Sequence, residues 1–137
     1  MNPLDSHLFR GLKNLKKLYL SYNNLTKLDS LLFVGLNKLE RLYLSFNKIS
    51  SLPPQIFQDL KQLKELQLST NEISSFDSQI FQPLTNLEKL NILFNKLTYI
   101  DKSIFTGLIQ LKTVFILKKK VTNINELKLS YPKIKFY

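Results

Sequence analysis

Leu39-Glu40-Arg41-Leu42-Tyr43-Leu44-Ser45-Phe46-Asn47-Lys48-Ile49 recurs in nearly the same form beginning at Leu15 and again beginning at Leu63. These neighbouring copies are Leu15-x-x-Leu18-x-Leu20-x-x-Asn23-x-Leu25 and Leu63-x-x-Leu66-x-Leu68-x-x-Asn71-x-Ile73, and a fourth reads Leu87-x-x-Leu90-x-Ile92-x-x-Asn95-x-Leu97. No insertion interrupts the period of 24. The second half of the unit is as regular, with Phe at the nineteenth position (Phe33, Phe57, Phe81, Phe105) and Leu at the twenty-second (Leu36, Leu60, Leu84, Leu108). An apolar residue also holds the fourteenth position (Leu28, Leu52, Phe76, Ile100), and counting back one unit gives Leu4, Phe9 and Leu12, so the sequence is expected to begin inside a repeat without its strand half or an N-terminal cap. One domain is expected over 1–137: a partial repeat at 1–14, four full repeats at 15–110, and a degenerate repeat and tail at 111–137.

The fourth and sixth positions of each unit alternate with polar ones, the two-residue period of a strand with one buried face. The phrase Leu-x-x-Leu-x-Leu-x-x-Asn-x-Leu at this period resembles the leucine-rich repeat family. That resemblance implies an α/β solenoid, or horseshoe. Its concave face is a parallel β-sheet, here of five or six short strands, and its convex side holds short helical turns and loops around a Phe spine. It also implies that the Asn column satisfies backbone groups where the chain leaves each strand. The fifth copy has Lys119 in place of Asn, so the ladder is expected to stop there and the chain to become irregular. Tyr131-Pro-Lys-Ile134-Lys-Phe136 restores the Leu-x-x-Leu-x-Leu spacing and predicts the start of a sixth strand.

With 44% hydrophobic residues, 137 residues suffice for a sizeable core. No apolar run comes near the roughly 18 residues that a membrane span needs, so no membrane insertion by this stretch is expected. There is no Cys, His7 is the only His, and the three Gly stand at one repeat position rather than in a phosphate loop. Neither a nucleophile with its base nor a metal set can be assembled, so the sequence predicts no enzyme, no catalytic residue, no metal and no cofactor.

The net charge of +10 is concentrated at one end: residues 111–137 hold seven basic residues against Glu126, whereas 15–110 hold 11 basic against 8 acidic. Lys118, Lys119 and Lys120 form the clearest run and a candidate patch for an anionic ligand such as a sulfated glycan. Nucleic acid is disfavoured, because no recognised module or interleaved base-stacking aromatics accompany the run.

Once the scaffold positions are removed, the third, fifth, seventh and eighth positions of each unit face outward as strand residues. The candidate ligand-binding set on the concave face is Lys17, Tyr19, Tyr22, Arg41, Tyr43, Phe46, Glu65, Gln67, Lys89, Asn91, Phe94 and Phe115. Tyr19, Tyr22, Tyr43 and Phe46 should form one patch beside Lys17 and Arg41, residue types enriched at binding hot spots. The competing reading is that aromatics suit strands and pack on a neighbouring repeat. A second, more apolar patch, Leu93, Phe94, Phe115 and Leu117, is expected to be covered by the tail after Ser130. Asn24-Leu25-Thr26 is a possible glycosylation sequon.

The repeat unit is similar to the subclass typical of Toll-like receptors, Slit-type guidance proteins and small matrix proteoglycans. What that implies is a protein-recognition module, extracellular or at the cell surface, within a larger receptor or matrix protein. The alternatives are an intracellular, cytoplasmic adaptor and a structural segment that self-associates through uncapped ends.

Overall fold

The computed structural model describes residues 4–137. Six short strands, β1 (Lys17–Tyr19), β2 (Arg41–Tyr43), β3 (Glu65–Gln67), β4 (Lys89–Asn91), β5 (Thr113–Phe115) and β6 (Lys135–Phe136), form one parallel sheet in sequence order. From β1 to β5 the register repeats the sequence period: Leu18 pairs with Leu42, Leu42 with Leu66, Leu66 with Leu90, and Leu90 with Val114. Each of these five strands is three residues long, with its central Leu or Val facing the core and the third and fifth positions of the unit as its outward pair. The seventh and eighth positions, expected on the strands, lie beyond them in the turns.

The apolar columns form a single core in which Leu39, Leu42, Leu44, Leu63, Leu66 and Leu68 are wholly buried. On the far side the returning segments are turns, apart from a 3-10 helix at Lys102–Phe105 and the helix α1 at Ile124–Ser130. Phe33, Phe57, Phe81 and Phe105 are fully buried there, with Phe9 half-buried at the N-terminal end. Two pairs of adjacent rings stack, Phe9 on Phe33 at 6.5 Å and Phe57 on Phe81 at 6.3 Å.

The Asn column does the backbone work its chemistry suggests. Asn71 Oδ1 accepts the Ile49 N–H at 3.0 Å while Nδ2 donates to the carbonyls of Leu44 (2.9 Å) and Leu68 (3.1 Å). Asn47 and Asn95 repeat the arrangement one repeat away on either side. Among the described residues no buried side-chain polar atom lacks a partner.

The ladder ends at Lys119 as expected, and the chain after it is rebuilt. A turn over Lys118–Lys120 leads to Asn123, whose Oδ1 accepts the Ile100 N–H at 3.1 Å and whose Nδ2 donates to the Ile100 carbonyl. α1 then buries Leu127, and Tyr131 packs edge-on against Phe105 at 5.6 Å while donating its hydroxyl to the Lys102 carbonyl. The sixth strand is present, but out of the expected register. Phe136 pairs with Val114 and takes the fourth position of its unit, not the sixth. The last unit, whose return contains α1, is therefore shorter than the others.

Candidate functional site

The outward positions of the strands build two side-chain ladders, with Lys17, Tyr19, Arg41, Lys89 and Lys135 exposed and Tyr43, Glu65, Gln67, Asn91, Thr113 and Phe115 half-buried. At the third position Lys17, Arg41, Glu65, Lys89, Thr113 and Lys135 stand in line, with Arg41 paired to Glu65 at 3.8 Å. Beside it runs the fifth-position ladder: Tyr19, Tyr43, Gln67, Asn91 and Phe115, extended by Tyr137. Tyr19 and Tyr43 are stacked face to face at 4.6 Å with planes 1° apart. Phe115 and Tyr137 stack at 5.6 Å, so aromatic pairs bracket the two central carboxamides. Burial raises the Tyr43 pKa above the ordinary tyrosine value, helped by the negative charge of Glu65 and by Tyr19 and opposed by Arg41.

A second stack lies just past the strands. Tyr22 and Phe46 sit at 4.4 Å with planes 8° apart, exposed by 73% and 46%, and Phe94 is exposed by 61%. The patch predicted from Tyr19, Tyr22, Tyr43 and Phe46 is therefore assembled, as two parallel aromatic pairs on adjacent repeats. The second apolar patch is only partly covered. Tyr137 lies on Phe115, while Phe94 remains open because the tail joins the sheet instead of crossing its lower rim. Ser45, at the seventh position, is buried and accepts a hydrogen bond from the Ser69 hydroxyl at 2.9 Å.

Sequence reasoning missed the backbone of the eighth position. Tyr22, Phe46, Thr70 and Phe94 all have positive φ, between 55° and 62°. This left-handed region costs an ordinary residue roughly 1–2 kcal/mol and normally selects Gly or Asn. Three of the four backbone N–H groups are held by the next repeat, Tyr22 to the Ser45 carbonyl, Phe46 to Ser69 and Thr70 to Leu93, which keeps the strained turn in place. No signal in an aromatic or Thr residue announces such a conformation. Thr70→Asn should relieve the strain, raising stability by about 1 kcal/mol and the melting temperature by about 4 °C in a thermal scan.

The three glycines also have positive φ (88°, 83° and 81°), each at the turn before the conserved-spacing Leu of its unit. Asn24 is exposed in the turn after β1 with φ 55°, so its sequon lies on the surface. Lys118, Lys119 and Lys120 are exposed together in the fifth turn. A shallow groove of about 290 Å³ crosses the upper edge of the sheet between Glu40, Lys64, Glu88, Lys89 and Lys112. No group of His, Asp and Glu suited to a metal ion occurs among the described residues, and no helix there is long and apolar enough to cross a membrane.

A parallel sheet with one strand per repeat, an internal Asn ladder and an outward ladder of variable side chains define a solenoid repeat protein with an open sheet face. The leucine rich repeat family matches residues 2–49 and 39–97, more than half of the sequence, and the chain belongs to that family. Among solved structures it is similar to the APL1 leucine-rich repeat domain, with 28% identity, a TM-score of 0.79, and coverage of 83% of this chain and 30% of that one. For the leucine-rich repeat domain of APL1B the values are 27%, 0.73, 81% and 34%. For the Drosophila Toll–Spatzle complex they are 25%, 0.74, 81% and 15%. The chain thus spans about a third or less of the length of these neighbours. A comparison with curated proteins gives no match.

Proposed function

We propose that this chain is a non-catalytic recognition module that takes a protein ligand on the concave sheet face, within a larger secreted or cell-surface protein. The observation that carries the reading is the pair of aromatic stacks, Tyr19 on Tyr43 and Tyr22 on Phe46, in which Tyr19, Tyr22 and Phe46 are exposed and the half-buried Tyr43 lies next to exposed Arg41. Exposed aromatic rings prearranged by the scaffold lose little conformational entropy on binding, and Tyr and Arg head the residue types at binding hot spots. The family, and the similarity to a structure described as the Toll–Spatzle complex, are in keeping with a protein partner. The repeat unit supports the extracellular setting through the subclass it resembles.

The test is a displayed-peptide selection on the immobilised domain, followed by affinity measurement on the Arg41→Ala, Tyr43→Ala double variant. Loss of at least about 30-fold in affinity, equivalent to about 2 kcal/mol, is expected while the circular dichroism spectrum is retained. Full affinity in the folded variant would remove the concave face as the binding surface.

A further inference from the structure

The carboxylates of this chain are all engaged internally. Each of the five aspartates accepts a backbone N–H: Asp5 from His7, Asp29 from Leu31, Asp59 from Gly35, Asp77 from Gln79 and Asp101 from Ser103. The Ser103 backbone N–H, with its hydroxyl behind it, holds the Asp101 carboxyl below its ordinary pKa. Each of the five glutamates pairs with one cation: Glu40 with Lys16, Glu65 with Arg41, Glu72 with Lys96, Glu88 with Lys112 and Glu126 with Lys102. Since the sequence holds 20 Lys and Arg and these pairs use five, fifteen cations have no carboxylate partner among the described residues. The aspartates keep their charge, since a neutral N–H does not cancel it, but unpaired cations outnumber them three to one and the surface is positive in excess.

Along the lower rim of the sheet this charge meets exposed apolar surface. The eighth positions run Tyr22, Phe46, Thr70 and Phe94, all on left-handed backbone, so the Tyr22–Phe46 stack and the Phe94 ring are separated by the smaller Thr70, and the next eighth position is Lys118. Lys48, just past Phe46, and Lys119 and Lys120 in the last turn are exposed and form no ion pair among the described residues. The left-handed backbone is common to all four of these eighth positions, Thr70 included, but Tyr22, Phe46 and Phe94 are in addition exposed rings, a surface that folding alone does not favour. We propose that this rim binds an acidic polypeptide segment whose aliphatic side chains seat on the Tyr22, Phe46 and Phe94 rings while its carboxylates meet Lys48 and Lys118–Lys120.

The proposal rests on the reading of the sheet face as a protein-recognition surface and specifies the partner's chemistry. A polypeptide fits better than the other polyanions. Aliphatic side chains cover the Phe46 and Phe94 rings with wholly apolar surface, whereas the sugar faces of a sulfated glycan carry hydroxyls and sulfates and offer less of it. The 4.4 Å stack of Tyr22 on Phe46 is closed to a nucleobase entering between them.

Fluorescence anisotropy on the whole chain distinguishes these cases with three labelled probes: a short peptide of alternating Glu and Leu, an all-Glu peptide of equal length, and a heparin octasaccharide. The Glu-Leu peptide is expected to bind about tenfold more tightly than the all-Glu peptide. Phe46→Asn with Phe94→Asn should erase that difference, and because Asn tolerates the left-handed backbone this variant should stay folded. Replacing Lys118, Lys119 and Lys120 with Gln should weaken both peptides and flatten their salt dependence. Equal affinity for the two peptides, no detectable binding of the Glu-Leu peptide, an unaffected ring variant, or tighter binding of the octasaccharide would each overturn the proposal. If Arg41→Ala with Tyr43→Ala abolishes peptide binding while the ring variant leaves it intact, the rim is excluded and the concave face stands. Failure of the displayed-peptide selection on the Arg41–Tyr43 surface would instead count against the broader reading.

Discussion

Phe57→Ala is expected to destabilise the domain by about 3–5 kcal/mol, read as a lower midpoint in urea unfolding. Phe57 is wholly buried at the middle of the spine with its ring against Phe81, so neither solvent nor a loop end can fill the space its removal leaves. Domains of this size have only about 5–15 kcal/mol in total, so the loss is a large share. Phe9 provides the internal comparison. It stacks on Phe33 but is half-buried at the end of the spine, and Phe9→Ala should cost about 1–2 kcal/mol. Equal midpoints for the two variants would show that the spine does not act as a continuous core.

Asn71→Ala is the second large effect, about 3 kcal/mol by the same measurement. The Oδ1 of Asn71 is the partner of the Ile49 N–H, so the substitution orphans a buried donor at a cost of about 1–3 kcal/mol. The two nearest of the three carbonyls it serves are less exposed to loss: Leu44 is also reached by Asn47 and Leu68 by Asn95. Their weakened bonding adds about 0.5–1.5 kcal/mol each. At the N-terminal end, Asn23 is exposed and its side chain donates only to Leu20 and Ser21 of its own repeat. Asn23→Ala should therefore cost less than about 1 kcal/mol. A similar cost at both positions would contradict the bridging role assigned to the column.

The scaffold was legible because its constraint is periodic. Leu42, Asn47 and Phe57 each have counterparts one unit away, and a buried residue type repeated at fixed spacing reports its own environment. The aromatic patch was legible for the same reason, since one period on from Tyr19 and Tyr22 stand Tyr43 and Phe46. Where the period fails, so did the reading. Lys119 marked the end of the Asn ladder, yet nothing marked Asn123 as the residue that would bond Ile100, because its partner is 23 residues away rather than the usual 22. The β6 register slipped because Tyr131, read as the first strand Leu, instead packs against Phe105 at the turn out of α1. The positive φ at Tyr22 and Phe46 is held by backbone N–H groups that donate to carbonyls of the next repeat, so these side chains carry no trace of it.

The in-order sheet also has a mechanical consequence. The hydrogen bonds between successive strands lie along the line that joins the first repeat to the last, across the strands rather than parallel to them. A force applied between the two ends would load one seam at a time, like a zipper, instead of shearing a whole strand. Extension should then proceed in short steps at low force, each releasing about one repeat of chain. Such a segment would yield gradually under tension while the repeats still folded kept their side-chain ladders in register.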